Sequence, residues 1–173
     1  MERLFLAPKI YGKIKKNISQ IAKSLKNVKL KLENNTISIE GNSLDEYNSL
    51  NVIKAISCGF DLKESSLLKN EEFMIEEVRI KDYVKSSNRL RQVKARIIGA
   101  EGRALKTISL LSDCFIRLSD NSVFIIGKTG DVKIAMGAII SLIKGSRHAN
   151  IYARLEHKPD FGEDLGLKEP QTE

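Results

Sequence analysis

Cysteine and histidine are scarce in this chain, with two of each. Cys58 and Cys114 are too few for a disulfide framework or a zinc site. Cys114 alternates with core-type residues, so both read as reduced packing cysteines of a cytoplasmic protein. His148 and Tyr152 have no nucleophile or carboxylate pair spaced with them, so no catalytic constellation can be assembled around them. They read instead as an anchor for the C-terminal segment or a contact for a partner protein. The chain also lacks H-x-E with C-x-x-C, G-x-x-x-x-G-K-[ST] and G-x-S-x-G. The expectation is a binding protein, not an enzyme, with no cofactor and no metal. The longest uncharged apolar run, Ile134 to Ile143, is too short to cross a bilayer, and the N-terminus has no secretory apolar region. Neither membrane attachment nor export is expected.

What is abundant is positive charge on an otherwise ordinary folded composition: 42% hydrophobic, 29% charged, net +7. That balance fits a globular chain with an anionic partner, and nucleic acid is the first candidate. The charge is unevenly placed. Lys9, Lys13, Lys15, Lys16, Lys23, Lys26, Lys29 and Lys31 occur with no acid between residues 9 and 31, and a second basic stretch spans residues 85 to 117. Residues 71 to 84 and the end of the chain lean acidic.

The second basic stretch contains Val93-Lys94-Ala95-Arg96-Ile97-Ile98-Gly99-Ala100-Glu101-Gly102-Arg103-Ala104-Leu105-Lys106. It reads as helix, tight G-x-x-G turn, helix. Two glycines three apart let the backbone turn sharply and approach a ligand without a Cβ in the way. The second helix starts there with free N–H groups that attract phosphate. Leu105, Ile108 and Leu111 make a core-facing stripe, while Arg103 and Lys106 fall on another face. The candidate RNA-contacting residues are Lys94, Arg96, Ile97, Ile98, Gly99, Ala100, Glu101, Gly102, Arg103 and Lys106. Ile97, Ile98, Leu105 and Ile108 would be part core and part apolar groove wall. A strand follows, with Cys114, Ile116 and Leu118 on one side and Phe115, Arg117 and Ser119 on the other, so Arg117 is added as a residue that could reach a base. A strand from Ser122 to Ile126 completes the hairpin, and a long amphipathic helix after Gly127 ends at Gly145.

The first half has a related plan. Arg3 to Ala7 is a strand candidate, Pro8 opens a helix through Leu25, and Val28, Leu30 and Leu32 alternate before the Asn34-Asn35 turn and the returning Ile37 and Ile39. Ser43 with Glu46 forms a capping box for a helix to about Ser57, stopped by Gly59. One fixed shift lays Val28, Leu30 and Leu32 onto Cys114, Ile116 and Leu118. The same shift lays Ile37 and Ile39 onto Val123 and Ile125, Gly41 onto Gly127, and Gly59 onto Gly145. That agreement indicates a duplication. Within one residue of the G-x-x-G register the first copy has Gly12-Lys13-Ile14-Lys15, which keeps one glycine and loses the other. Lys13, Lys15 and Lys16 then form an auxiliary basic surface without a clamp. The expected architecture is α+β: two tandem type I KH domains, each a three-stranded antiparallel sheet packed against three helices, rigidly associated. Residues 1–70 hold the degenerate unit with a connector helix, 71–157 the unit with an intact loop beginning with a strand at Phe73 to Ile80, and 158–173 a flexible tail. The connector's Phe60, Leu62, Leu67 and Leu68, without proline or glycine, are the basis for expecting rigidity.

A degenerate unit joined to one with a sound G-x-x-G resembles the archaeal and eukaryotic small-subunit assembly factors called Dim-two or partner-of-Nob proteins. The stretches that carry the likeness are Arg96-Ile97-Ile98-Gly99 with Glu101-Gly102, Val123 to Gly127, and Gly145 followed by His148, Tyr152, Leu155 and Glu156. The length looks archaeal. The resemblance implies a ribosome-biogenesis factor that binds single-stranded small-subunit (16S-type) rRNA near its 3′ end. It also implies residence on the pre-ribosomal small subunit and work with the rRNA 3′-end endonuclease of the Nob family. One departure is Ala100, where the family usually has a basic residue. Phosphate attraction would then fall to Arg103, Lys106 and the helix N-terminus. Two other readings stay open: a KH protein for exosome or messenger RNA, and a mainly protein-binding adaptor. Steep salt dependence of RNA affinity separates the RNA-binding readings from the adaptor.

Overall fold

The computed structural model describes residues 2–25 and 27–157. The proposed tail at 158–173, and Lys26 of the basic stretch, lie outside the described residues. In the first half, β1 (Glu2–Phe5) leads into α1 (Pro8–Ser24). The hairpin β2 (Lys29–Glu33) and β3 (Thr36–Glu40), then α2 (Ser43–Ser57) and short α3 (Leu62–Ser66), follow. A 3-10 turn at Leu67–Lys69 passes the chain to β4 (Phe73–Arg79). Then come α4 (Ser87–Ile98), α5 (Arg103–Ser112), β5 (Phe115–Ser119), β6 (Ser122–Lys128), α6 (Thr129–Lys144) and α7 (His148–Glu156).

The strands form two antiparallel sheets of the same order, β1-β3-β2 and β4-β6-β5. Their hairpins match pair for pair. Leu30 faces Ile39 and Leu32 faces Ile37 in one, and Ile116 faces Ile125 and Leu118 faces Val123 in the other. The first turn uses left-handed Asn34 and Asn35 (φ 46° and 60°), the conformation that follows the twist of a two-residue hairpin. The paired glycines have one packing reason. A Cβ on Gly41 would lie 2.8 Å from Val28 Cγ1, and one on Gly127 2.6 Å from Cys114 Sγ. Val28 and Cys114 are themselves equivalent under the shift, so the open end of each hairpin is closed by the same contact.

Three sequence expectations change. First, α1 runs unbroken through Gly12, so there is no turn at Gly12-Lys13-Ile14-Lys15. Only residues 6–28 separate β1 from β2, against 80–114 between β4 and β5, which leaves no room for a helix, loop and second helix. Ile14 and Ile21 are buried on one continuous stripe, and that burial outweighs the roughly 1 kcal/mol that a helical glycine costs. Second, the cap of α2 is Asn42, whose side chain accepts from Asp45 N at 2.8 Å, while Glu46 accepts from Gly41 N at 3.0 Å. The cap lies one residue ahead of Ser43. A reciprocal capping box occurs instead at α3, between Asp61 and Glu64. Third, β1 spans Glu2–Phe5, so Leu6 leaves the strand and is buried in the core.

Two apolar clusters form the interior. One packs α4 to α7 on one face of the β4-β6-β5 sheet through Val78, Ile97, Ile108, Ile116, Val123 and Ile139. The other fills the first half around Ile14, Ile37, Ile53, Phe60 and Leu68, and it includes Ile126, with Phe73, Ile75 and Phe124 packed on it. The second sheet is therefore covered on both faces. This explains why Val123 to Ile126 reads as an unbroken apolar run and not as an alternation. Burial, with Glu77 adding to it, pushes the Cys58 thiol up to about 11, so at neutral pH it stays protonated and unreactive.

Candidate nucleic-acid interface

The turn between α4 and α5 has the required backbone. Gly99 sits at φ 73°, ψ 178°, Glu101 at φ 54°, ψ 27°, and Gly102 at φ 76°, ψ 8°, and α5 starts at the next residue with no side chain capping it. The two glycines are needed for different reasons. A Cβ on Gly99 would come within 2.5 Å of Ala104 Cβ and 2.8 Å of Ala104 N, so the loop closes tightly onto the first turn of α5. A Cβ on Gly102 would meet nothing within 4 Å. There the left-handed backbone is the constraint, and the space over it is open to a ligand.

From this loop α5 presents Arg103, Lys106 and Leu110 along one exposed side, while Ala104 and Ile108 are buried. The stripe ends in a recess of about 370 Å³ lined by Lys106, Ser109, Leu110, Asp113, Cys114 and Phe115. Leu110 is 76% exposed and Phe115 37%. The arrangement is cationic at the loop and apolar at the far end, suited to a phosphate backbone at one end and an unstacked base at the other. Arg103 pairs with Glu101 at 3.1 Å, but both are exposed, so water screens the pair and a phosphate can displace the carboxylate at small cost.

Not every residue singled out from the sequence reaches this surface. Ile97 is fully buried and belongs to the core; its neighbour Ile98 is 38% exposed. Lys94 lies on the same flank of α4 as Ile98, whereas Arg96 lies on the opposite flank, against the α6–α7 corner. The Arg96 guanidinium donates through Nη2 to Gly145 O at 3.2 Å and, in a short contact, to Ser146 O. His148 Nε2 donates back to the Arg96 carbonyl at 3.0 Å, and its ring lies 6.0 Å from that of Tyr152. Of the two roles left open for His148, anchor or partner contact, these bonds match the first. Arg117 does project from the face of β5 away from its own core, but that face is covered by the first half. Its Nη2 donates to Glu64 Oε1 and Oε2 at 2.7 and 3.0 Å, and its guanidinium lies 5.5 Å from the Phe60 ring. In this structure Arg117 makes a contact between the two halves in place of an open position facing a base.

Leu110 and Phe115 were not picked out as site residues. Leu110 carried a signal: it falls off the stripe defined by Leu105, Ile108 and Leu111, which leaves a large apolar side chain without a core to enter. On α1, Lys13, Lys15 and Lys16 are all exposed, with Lys15 Nζ 6.0 Å from the Tyr11 ring centroid. Among the described residues no group of three or more His, Cys, Asp or Glu could hold a metal ion, and no helix is long and apolar enough to cross a membrane.

Residues 73–160 match the family model for the second KH domain of PNO1, described as "Eukaryotic type KH-domain (KH-domain type I)". The chain belongs to the PNO1-type KH family. A KH domain-containing protein of Methanocaldococcus jannaschii is 32% identical to this PNO1-type chain over 112 residues, 65% of this chain and 49% of the relative. Pre-rRNA-processing protein PNO1 of Eremothecium gossypii is 36% identical over 106 residues, 60% and 39% of the two chains. The chain spans about half or less of the length of these curated relatives. Dim2p from Pyrococcus horikoshii superposes on the PNO1-type fold with a TM-score of 0.79 at 26% identity, covering 91% of this chain and 98% of that one. A chain of an a/eIF2alpha-aDim2p-rRNA complex from the same organism gives 0.78 at 26% identity, over 90% and 92%.

Proposed function

We propose that this chain binds single-stranded small-subunit rRNA near its 3′ end through the Gly99–Gly102 loop and acts in ribosome biogenesis, as a binding factor without catalysis of its own. The observation that carries the reading is the loop itself. Left-handed Gly102, open above, leads into an uncapped α5 whose exposed side runs from Arg103 and Lys106 to Leu110 and Phe115. Relatives named for pre-rRNA processing and a structural neighbour solved with rRNA support the target. Residues 71–157 act as the RNA-reading KH unit, and residues 1–70 as a degenerate companion held rigidly to it that contributes charge through Lys13, Lys15 and Lys16. The place of action is the pre-ribosomal small subunit in the cytoplasm, beside the Nob-family endonuclease. Gly102→Asp, which puts a Cβ and a negative charge under the phosphate path at a surface turn, tests the assignment. Affinity for a 3′ rRNA fragment falls at least tenfold in a folded variant, and unchanged affinity overturns it.

A further inference from the structure

A recess of about 440 Å³ lies away from the G-x-x-G loop, between α2 and β4. Its wall is one flank of α2, where Leu44 and Tyr47 stand one turn apart at 58% and 61% exposure. Two large apolar side chains side by side in water mark a surface that is covered by something. The floor is β4, with Phe73 and Ile75 lining it. Among the described residues β4 pairs only with β6, so its other edge is open along most of its seven residues, apart from Phe73 N, which donates to Asn70 O at 3.0 Å, with no proline to blunt it.

The charge selects the occupant. The lining includes Glu71 and Glu76 and no basic residue, on a chain of net charge +7. Carboxylates repel a phosphate backbone. They also disfavour a second copy of this chain pairing β4 against β4, because the two acidic strands would be brought side by side. We propose that this groove takes a basic, extended segment of a protein partner, which pairs with β4 as an added strand, lays its apolar side chains on Leu44 and Tyr47, and sets its cations against Glu71 and Glu76. The RNA-facing stripe on α5 and β5 uses none of these residues, so one chain can hold RNA and protein on separate surfaces.

The test titrates the full isotope-labelled chain with a synthetic ten-residue peptide alternating valine and lysine, with its valine–glutamate counterpart, and with a single-stranded RNA oligonucleotide. The lysine peptide is expected to shift amides at Leu44, Tyr47 and Phe73–Glu76 and to slow hydrogen exchange at alternate β4 amides, while the glutamate peptide leaves them unmoved. Tyr47→Ala, at an exposed position, and Glu76→Lys, at a half-buried one, weaken the lysine peptide at least tenfold without altering RNA affinity. Equal response to both peptides, shifts confined to Arg103–Phe115, no shifts at all, or RNA competing for the β4 amides overturns the proposal. The wild-type shift map stands even if either variant fails to fold.

Discussion

Arg117 and Glu64, 53 residues apart in the chain, meet as a charge-assisted clasp at 2.7 and 3.0 Å between the second sheet and the connector of the first half. Glu64 is only 12% exposed and also closes the capping box of α3 through Asp61 N, while Arg117 is 40% exposed. Hydrogen bonds to charged groups are worth about 1.5–3 kcal/mol, less where water reaches one partner. Arg117→Met should therefore lower stability by about 1–2 kcal/mol in urea unfolding and leave RNA affinity within about twofold. A double-mutant cycle with Glu64→Gln separates the clasp from the cap. A tenfold loss of RNA affinity at unchanged stability would return Arg117 to the RNA surface.

The two loop glycines should fail differently. Gly99→Ala drives a methyl into Ala104 as well as straining a positive φ, so it is expected to lose about 2–4 kcal/mol. Gly102→Ala faces open space and carries only the backbone strain, about 1 kcal/mol. Parallel thermal or urea melts decide it; equal losses would mean that the contact with Ala104 is not what Gly99 protects.

Lys13, Lys15 and Lys16, exposed on α1, are expected to act by charge alone. Replacing all three with Gln should weaken binding to unrelated RNAs by similar factors and flatten the salt dependence by roughly 0.7 per lost contact on a single strand. Loss confined to one RNA sequence, with the slope intact, would show base reading by the first half.

His148 and Arg96 hold the α6–α7 corner to the last turn of α4, three residues before Gly99. His148→Ala removes one hydrogen bond, about 1 kcal/mol, and should speed hydrogen exchange in α7 ahead of the sheet amides. Arg96→Lys loses the planar fork that reaches Gly145 and Ser146 and should have the same local signature. If instead either variant left α7 protected and cut RNA affinity, the clasp would not be the role of these residues.

The apolar contact of Phe73, Ile75, Phe124 and Ile126 with the first half leads to the expectation that both halves tumble together. NMR relaxation measured separately over residues 2–70 and 71–157 should return one correlation time. Two distinct times would mean that the interface opens in solution.

Much of this was legible because alternation and fixed spacing are local. The two hairpins, the α6 stripe ending at Gly145 and the Gly41–Gly127 equivalence follow from periods of two and of three to four, and each glycine turns out to abut the residue that the same shift pairs with its counterpart's neighbour. What failed depended on distant packing. A basic residue beside a glycine loop does not reveal which flank of α4 meets the α6–α7 corner, so Arg96 reads as an RNA contact in the sequence and sits against that corner in the structure. The alternation around Arg117 identified a non-core face correctly but not that the first half covers it. The unbroken run Val123 to Ile126 was the trace of that covering. Gly12 misleads because it lies within one residue of the register that the repeat demands, while the segment around it is too short to break a helix in two.

Burial of the second sheet from both sides also bears on how the chain is made. Synthesis runs from the N-terminus, so α2, α3 and the Phe60–Leu68 surface emerge before the strands that cover them, and the first half must wait with that apolar patch in water until β4 and then β6 leave the ribosome. Ile126, the residue that completes the first half's interior, is translated last among them. A nascent chain stalled shortly before residue 122 would therefore be the form most exposed to aggregation or chaperone capture, and release of the hairpin would end that exposure in a single step.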